Sequence, residues 1–135
     1  MIVTIHQPDF LPWLGFFDRW GKSDLYIVLD DVQFIRRGWH HRDKIKTQSG
    51  VQWLTVPVQK KNHYCQTIKE VRINNNENWR YKHLKTIQTA YGKATNFDLV
   101  YGRLSEIYNK DYDLLISFNM NLLRLCSKML GINTT

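Results

Sequence analysis

Three groups of chemically capable side chains fall in the first third of the chain: His6-Gln7, Asp30-Asp31 with Gln33, and a basic run from Arg36 to Lys46. A histidine titrates near neutrality, so His6 can donate to a phosphate or act as a general base. A carboxylate from Asp30 or Asp31 can hold a ribose hydroxyl, an amine, or Mg²⁺ through water. Arg36, Arg37 and Arg42 carry planar forks that match phosphate oxygens, and Lys44 adds a compact charge beside them. Trp13 and Trp39 offer faces on which a base or sugar ring can stack. Each group also has a plainer reading: a satisfied strand-end histidine, a strand cap, a solvated basic loop. Convergence in space is what would separate the two.

The elements that must create that convergence are short. Met1 to Ile5 reads as an apolar strand, stopped by His6-Gln7-Pro8. Pro8 and Pro12 lack backbone donors and bias their preceding residues away from helical geometry, so the loop between them is stiff. Gly15 to Trp20 then places Phe16, Phe17 and Trp20 at helical spacing, and Leu25 to Leu29 fits a buried parallel strand. This is a βαβ unit, with His6 and Asp30-Asp31 at the carboxyl ends of its strands, where open α/β sheets bind ligands.

Residues 35 to 50 read as irregular. Val51 to Val58 reads as a third strand, Lys60 to Gln66 as a loop, and Thr67 to Ile73 as a fourth strand. Helices are expected over 78–91, capped from Asn74-Asn75-Asn76 and ended by Gly92, over 97–108, and after a cap at Asp113 with Gly131 as its stop. Trp53, Trp79, Tyr91 and Tyr101 are assigned to the core. Ile116, Phe118, Leu122, Leu125, Cys126 and Met129 form the buried stripe of the last helix. The expected fold is α/β: a Rossmann-like, small, mostly parallel sheet over 1–73, then a helical half over 74–135, in one domain.

Composition narrows the function classes. The chain has 135 residues, a net charge of +7, and five Trp, seven Tyr and six Phe. Residues 1–35 hold five Asp against Arg19 and Lys22, a balance of −3, whereas residues 36–61 hold seven Lys and Arg against Asp43, a balance of +6. The second stretch attracts phosphate, nucleotide, nucleic acid or an anionic surface. Cys65 and Cys126 have no metal-like spacing and read as reduced thiols. His40 and His41 with His63 could approach a metal, but adjacent histidines rarely share one ion, so no metal site is assigned. No leader or stretch of about 20 apolar residues is present, and the chain reads as soluble and cytoplasmic. P-loop, GxGxxG, HExxH and Ser/His/Asp patterns are absent.

The segments 5–20 (IHQPDFLPWLGFFDRW), 23–39 (SDLYIVLDDVQFIRRGW), 42–58 (RDKIKTQSGVQWLTVPV) and 78–93 resemble the WbqC-like family. One departure is His41-Arg42-Asp43, where the family commonly shows an Asn-Arg-Asn-like run. The resemblance implies bacterial O-antigen or surface-polysaccharide biosynthesis, and proteins usually longer at the C-terminus; this chain therefore reads as a fragment or a shortened member. The expected activity is a sugar-modifying transferase, moving an acyl, aminoacyl or related group onto a nucleotide- or lipid-linked sugar. His6, Asp30 and Asp31 would be catalytic, with Gln7, Trp13, Gln33, Arg36, Arg37, Trp39, Arg42 and Lys44 binding substrate. The ligand would be a nucleotide or nucleotide-sugar, with Mg²⁺ as the conceivable ion and no stable nucleic-acid partner. The alternative is a non-catalytic module holding an anionic glycan precursor or a partner protein.

Overall fold

A computed structural model of the chain describes residues 1–59 and 65–134. Strand β1 (Val3–His6) leads through helix α1 (Leu14–Gly21) into β2 (Leu25–Val28), which pairs parallel to β1 from Val3–Leu25 to His6–Val28. Helix α1 buries Phe16, Phe17 and Trp20, as their spacing predicts, and Trp20 stacks on Tyr26 of β2 at 4.3 Å. Alternation along β1 and β2 turns Val3, Ile5 and Ile27 away from α1, and all three are exposed.

The sheet does not continue into a mostly parallel array. Segment 42–47, expected to be irregular, is β3 (Arg42–Thr47), and it pairs antiparallel with β4 (Gly50–Thr55) as a separate two-stranded sheet. Its charges conceal a period-two pattern: Arg42, Lys44 and Lys46 take one face, Asp43, Ile45 and Thr47 the other. The Rossmann-like expectation is therefore replaced by a coarser one: α/β, with a parallel pair, a hairpin and a helical C-terminal half.

Thr67 to Ile73 is likewise not a strand. Ile68–Glu70 is a 3₁₀ turn closed by a capping box, in which Glu70 Oε2 accepts from the Thr67 backbone N–H at 2.8 Å. Its onward backbone pairs with the lead-in to the last helix: the Leu115 N–H donates to Val71 O, and the Ile73 N–H to Asp113 O.

Helices α2 (Trp79–Tyr91), α3 (Phe97–Tyr108) and α4 (Leu115–Met129) follow the expected spans closely. Their caps differ. Asn78, not Asn74 to Asn76, precedes α2, and Leu114 precedes α4 while Asp113 pairs with Arg72. Gly131, at φ +70°, does stop α4: its N–H reaches Lys128 O and that of Ile132 reaches Ser127 O. The α4 stripe is rotated from the expected one. Leu115, Phe118, Asn119, Leu122 and Leu123 are buried, whereas Met129 is exposed.

Helix α4 divides two apolar clusters. Phe118 and Leu122 join Phe10, Leu54, Val56, Ile68, Trp79 and Tyr108 in the larger one; Leu123 joins α1 and Tyr26 in the smaller. Of the aromatics assigned to the core, Trp79 is buried, Tyr101 half-buried, and Trp53 and Tyr91 exposed. Lys60, Lys61 and His63, which entered the charge and metal readings, lie outside the described residues. Burial pushes the Cys126 thiol up to about 11, which keeps it protonated and unreactive near neutrality.

His83 is the larger cluster's polar member. Its Nε2–H donates to Thr55 O at 3.0 Å, so Nδ1 accepts from the Tyr108 hydroxyl at 3.1 Å. Burial pushes its pKa down to about 4. The neutral ring therefore contributes stability that is complete above the unfolded pKa of about 6.5 and lost as pH falls through about 4. Denaturant unfolding at pH 7.5 and 4.5 should show a loss of about 2–3 kcal/mol from this group. His83→Gln should cost about 1–2 kcal/mol at pH 7.5 and remove that part of the acid sensitivity; an unchanged acid response would refute the assignment.

Candidate functional site

The strand end that carries His6 opens into a cavity of about 500 Å³, lined by His6, Gln7, Asp9, Pro12 and Trp13 on one side and by Ile35, Gly38, Trp39, His40 and Asp43 on the other. Two loops form it, and both are held from below. Phe10 is fully buried and donates its N–H to Trp39 O at 3.0 Å. Leu11 follows at φ +41°, a strained conformation for a bulky residue, and it comes directly before Pro12. Asn119 of α4, completely buried, donates from Nδ2 to Pro8 O at 2.9 Å and to His40 O at 2.7 Å.

Hydrogen bonds settle the histidine tautomers. A carbonyl oxygen only accepts, so the 2.9 Å contact between His6 Nδ1 and Gln7 O requires a proton on Nδ1 and leaves the lone pair on Nε2. The ring is also braced edge-on against Phe16 at 4.8 Å. His40 has the opposite arrangement. Its Nδ1 accepts from the Ile35 N–H at 3.4 Å, and its Nε2–H donates to Gln7 Oε1 at 2.6 Å. Burial first, and the neighbouring His6 second, lower its pKa. His40 is thus a neutral, fixed ring that orients Gln7.

Asp9 lies between the two rings, with Oδ2 at 3.9 Å from His6 Nδ1 and Oδ1 at 4.0 Å from His40 Nε2. Burial pushes its carboxyl up to about 6; the nearby Asp43 adds to the rise, while His6 and Arg19 oppose it. Asp43, also raised chiefly by burial, is the second carboxylate at the cavity. Asp9 is thus a carboxyl held ready to take or lose a proton near pH 6, beside a histidine whose Nε2 keeps its lone pair.

Of the residues singled out in the sequence, His6, Gln7, Trp13 and Trp39 meet at this cavity. Asp30 and Asp31 are not in its walls; the carboxylate beside His6 is Asp9. The reason is the course of the chain after β2. The Leu29 N–H still pairs with His6 O, but Asp30 O and Val32 O then accept from the 3₁₀ turn at Lys69 and Ile68. Gln33, exposed, bridges to Thr67 on the same path. Arg36 and Arg37 are exposed, and Arg42 donates to Arg37 O at 2.8 Å. Arg42 and Lys44 lie over the Trp53 ring at 4.4 and 4.9 Å, and Trp53 stacks on Trp39 at 5.7 Å. These cations thus border the cavity through an aromatic pair instead of lining it. No group of three His, Cys, Asp or Glu among the described residues is placed to hold a metal ion.

The comparison with known families follows the same residues. The family model described as "WbqC-like protein family" matches residues 7–135, which include both cavity loops and Asn119. The chain belongs to the WbqC-like family. It is also 36% identical over 133 residues to the uncharacterized protein Rv1507c of Mycobacterium tuberculosis, a match covering 98% of this chain and 57% of that protein. The chain thus spans little more than half the length of this curated relative. No solved structure matches it.

Sequence reasoning passed over Asp9 and Asn119, named Asp43 only in the charge balance and as a departure from the family run, and weighed His40 only in a basic run and as a metal ligand. Two signals were available: a carboxylate inside the loop stiffened by Pro8 and Pro12, and an amide on the apolar stripe of α4. The raised Asp9 pKa has a consequence for stability. Its contribution is full below the unfolded pKa of about 3.8 and is lost as pH rises through about 6. Asp9→Asn should therefore stabilise the protein by about 1–3 kcal/mol at pH 8 and by almost nothing at pH 4. Unfolding curves for both proteins at the two pH values test this, and equal effects at both would contradict it.

Proposed function

We propose that this WbqC-like chain is a sugar-modifying transferase of bacterial surface-polysaccharide biosynthesis, acting in the cytoplasm. It passes an acyl, aminoacyl or related group to a hydroxyl or amine of a nucleotide- or lipid-linked sugar. The observation that supports this reading is the His6–Asp9 pair, an imidazole and a carboxylate 3.9 Å apart in the wall of a cavity of small-ligand size. The family resemblance supplies the polysaccharide context.

In this reading the acceptor hydroxyl or amine gives its proton to His6 Nε2 as it attacks the donor carbonyl. Ionised Asp9 balances the charge that appears on the imidazole, and the leaving group takes a proton back from His6. Gln7 spends its amide oxygen on His40, so its N–H₂ group remains to donate to substrate. Trp13 and Trp39 flank the sugar or base. Arg36, Arg37, Arg42 and Lys44 supply the positive field that draws in a phosphate-bearing substrate. Asp30 and Asp31 have no step in this scheme.

A second reading, a non-catalytic module for an anionic glycan carrier, is favoured by the Trp39–Trp53 stack under Arg42 and Lys44. The two readings separate in a deletion strain complemented with variants, with surface glycans analysed by mass spectrometry. His6→Ala should lower the modified fraction in step with a loss of about 10²–10⁴ in transfer rate. The rate of the unaltered protein should rise as Asp9 ionises through about pH 6. Full modification with His6→Ala, alongside loss with Arg42→Ala, would overturn catalysis in favour of the binding module.

A further inference from the structure

A second cleft, larger than the first at about 620 Å³, opens between the tip of the β3–β4 hairpin and the outer face of α2. The helix supplies Tyr81, Lys82, Lys85, Thr86 and Thr89, a spacing that keeps them on one side. The opposite side buries Trp79 and His83. An exposed polar helix face is ordinarily just solvated. This one has a facing wall, because Thr47, Gln48, Ser49 and Gln52 of the hairpin close the other side.

The chemistry of the two walls is uneven in an informative way. Neither carries a carboxylate, and residues 78–91 contain no Asp or Glu to pair with Lys82 or Lys85. Two ammonium groups therefore line the cleft with no carboxylate among its described lining residues. The three threonines have committed their protons: Thr47 Oγ1 to Gly50 O, Thr86 to Lys82 O and Thr89 to Lys85 O, all at 2.8–2.9 Å. The Thr86 and Thr89 oxygens remain as fixed acceptors, Thr47 Oγ1 already accepts from the Ser49 hydroxyl at 3.2 Å and keeps one lone pair, and Gln48 and Gln52 add amide donors and acceptors. Tyr81 is 63% exposed and offers an apolar ring face beside these groups. A ligand that satisfies all of them bears hydroxyl donors, negative charge and a flat aliphatic face.

We propose that this cleft is a binding site for an anionic carbohydrate chain. Sugar hydroxyls pair with the threonine oxygens and glutamine amides, one pyranose face lies on Tyr81, and Lys82 and Lys85 take its charge. A nucleic acid fits less well, since single strands need successive aromatic platforms and the described lining residues supply one, Tyr81. The site is separate from the His6–Asp9 cavity. Asp43 borders that cavity and Thr47 this cleft, four residues or about 13 Å apart along β3. The proposal therefore stands or falls independently of the transferase reading.

The test is calorimetric titration of the chain with tetragalacturonate, a phosphorylated oligomannose and neutral maltotetraose, with amide shifts of Thr47, Tyr81 and Lys85 followed by NMR. Saturable binding of one or both charged oligosaccharides is expected, the pair distinguishing carboxylate from phosphate as the source of charge. Tyr81→Ala and Lys85→Gln, each verified as folded by circular dichroism, should weaken binding about tenfold, or roughly 1.4 kcal/mol. His6→Ala and Asp9→Asn should leave it unchanged. No binding of either charged chain, equal binding of maltotetraose, or loss of binding in His6→Ala would overturn the proposal. So would tighter, Lys85-dependent binding of a uridine decamer.

Discussion

One buried amide ties this structure together. Asn119 lies where the two apolar clusters meet along α4, and its Nδ2 holds the carbonyls of Pro8 and His40 at once. Those carbonyls belong to the two loops that form the cavity, and neither loop is part of a helix or strand at that point. A buried carbonyl without a donor costs on the order of 1–3 kcal/mol, so the loops have strong reason to close on that amide. The same geometry leaves Asn119 Oδ1 buried without a partner among the described residues. A hydrophobic residue would pack there more cheaply but would release both loops. Retaining a half-satisfied amide in a core makes physical sense if loop position matters more than stability.

The cavity repeats that compromise in its charges. Asp9 is held where ionisation is disfavoured, against two neighbouring rings and with Asp43 adding repulsion. His83, in the larger cluster, pulls stability the opposite way with pH, because its neutral form is fixed between Thr55 and Tyr108. Only one of these groups faces a space that a substrate can occupy. Burial of a titratable group therefore does not by itself mark a site. Asp9 is distinguished by burial combined with an open wall, and His83 by the lack of one.

Much of the fold was legible because it rests on local rules. The Phe16, Phe17 and Trp20 spacing, the span of α3 and the Gly131 stop each follow from chain chemistry within a few residues. The failures share a different cause. Arg42 to Thr47 looks like a loop because its alternation is written in charge, and only long-range pairing with β4 reveals the strand. Thr67 to Ile73 alternates convincingly, yet its backbone partners are scattered over residues 30–33, 58–59 and 113–115, so no continuous ladder forms. Half of the site was visible as well: a stiff loop after a strand announces His6 and Gln7. Asp30 and Asp31 looked equivalent, but the 3₁₀ turn draws that segment aside, while Asp43 reaches the cavity, and Asn119 the loops beneath it, through tertiary contacts.

The hairpin makes the site depend on register. Its strands pair from Arg42–Thr55 to Thr47–Gly50, with Gln48 and Ser49 at the turn and Gly50 at φ +114°, a region that favours glycine. In this register Arg42 and Lys44 project over Trp53, which stacks on Trp39, while Asp43 turns to the cavity and Ile45 to the core. A slip of one residue would exchange those faces. Asp43 would leave the cavity, removing one of the influences that raise Asp9, and a cation would be driven against the larger cluster. The stack of Trp39 on Trp53 opposes such a slip, because it joins the cavity loop to the middle of β4. Trp53 thus earns its exposed position: it fixes which face of β3 is acidic toward the site and which is basic toward solvent.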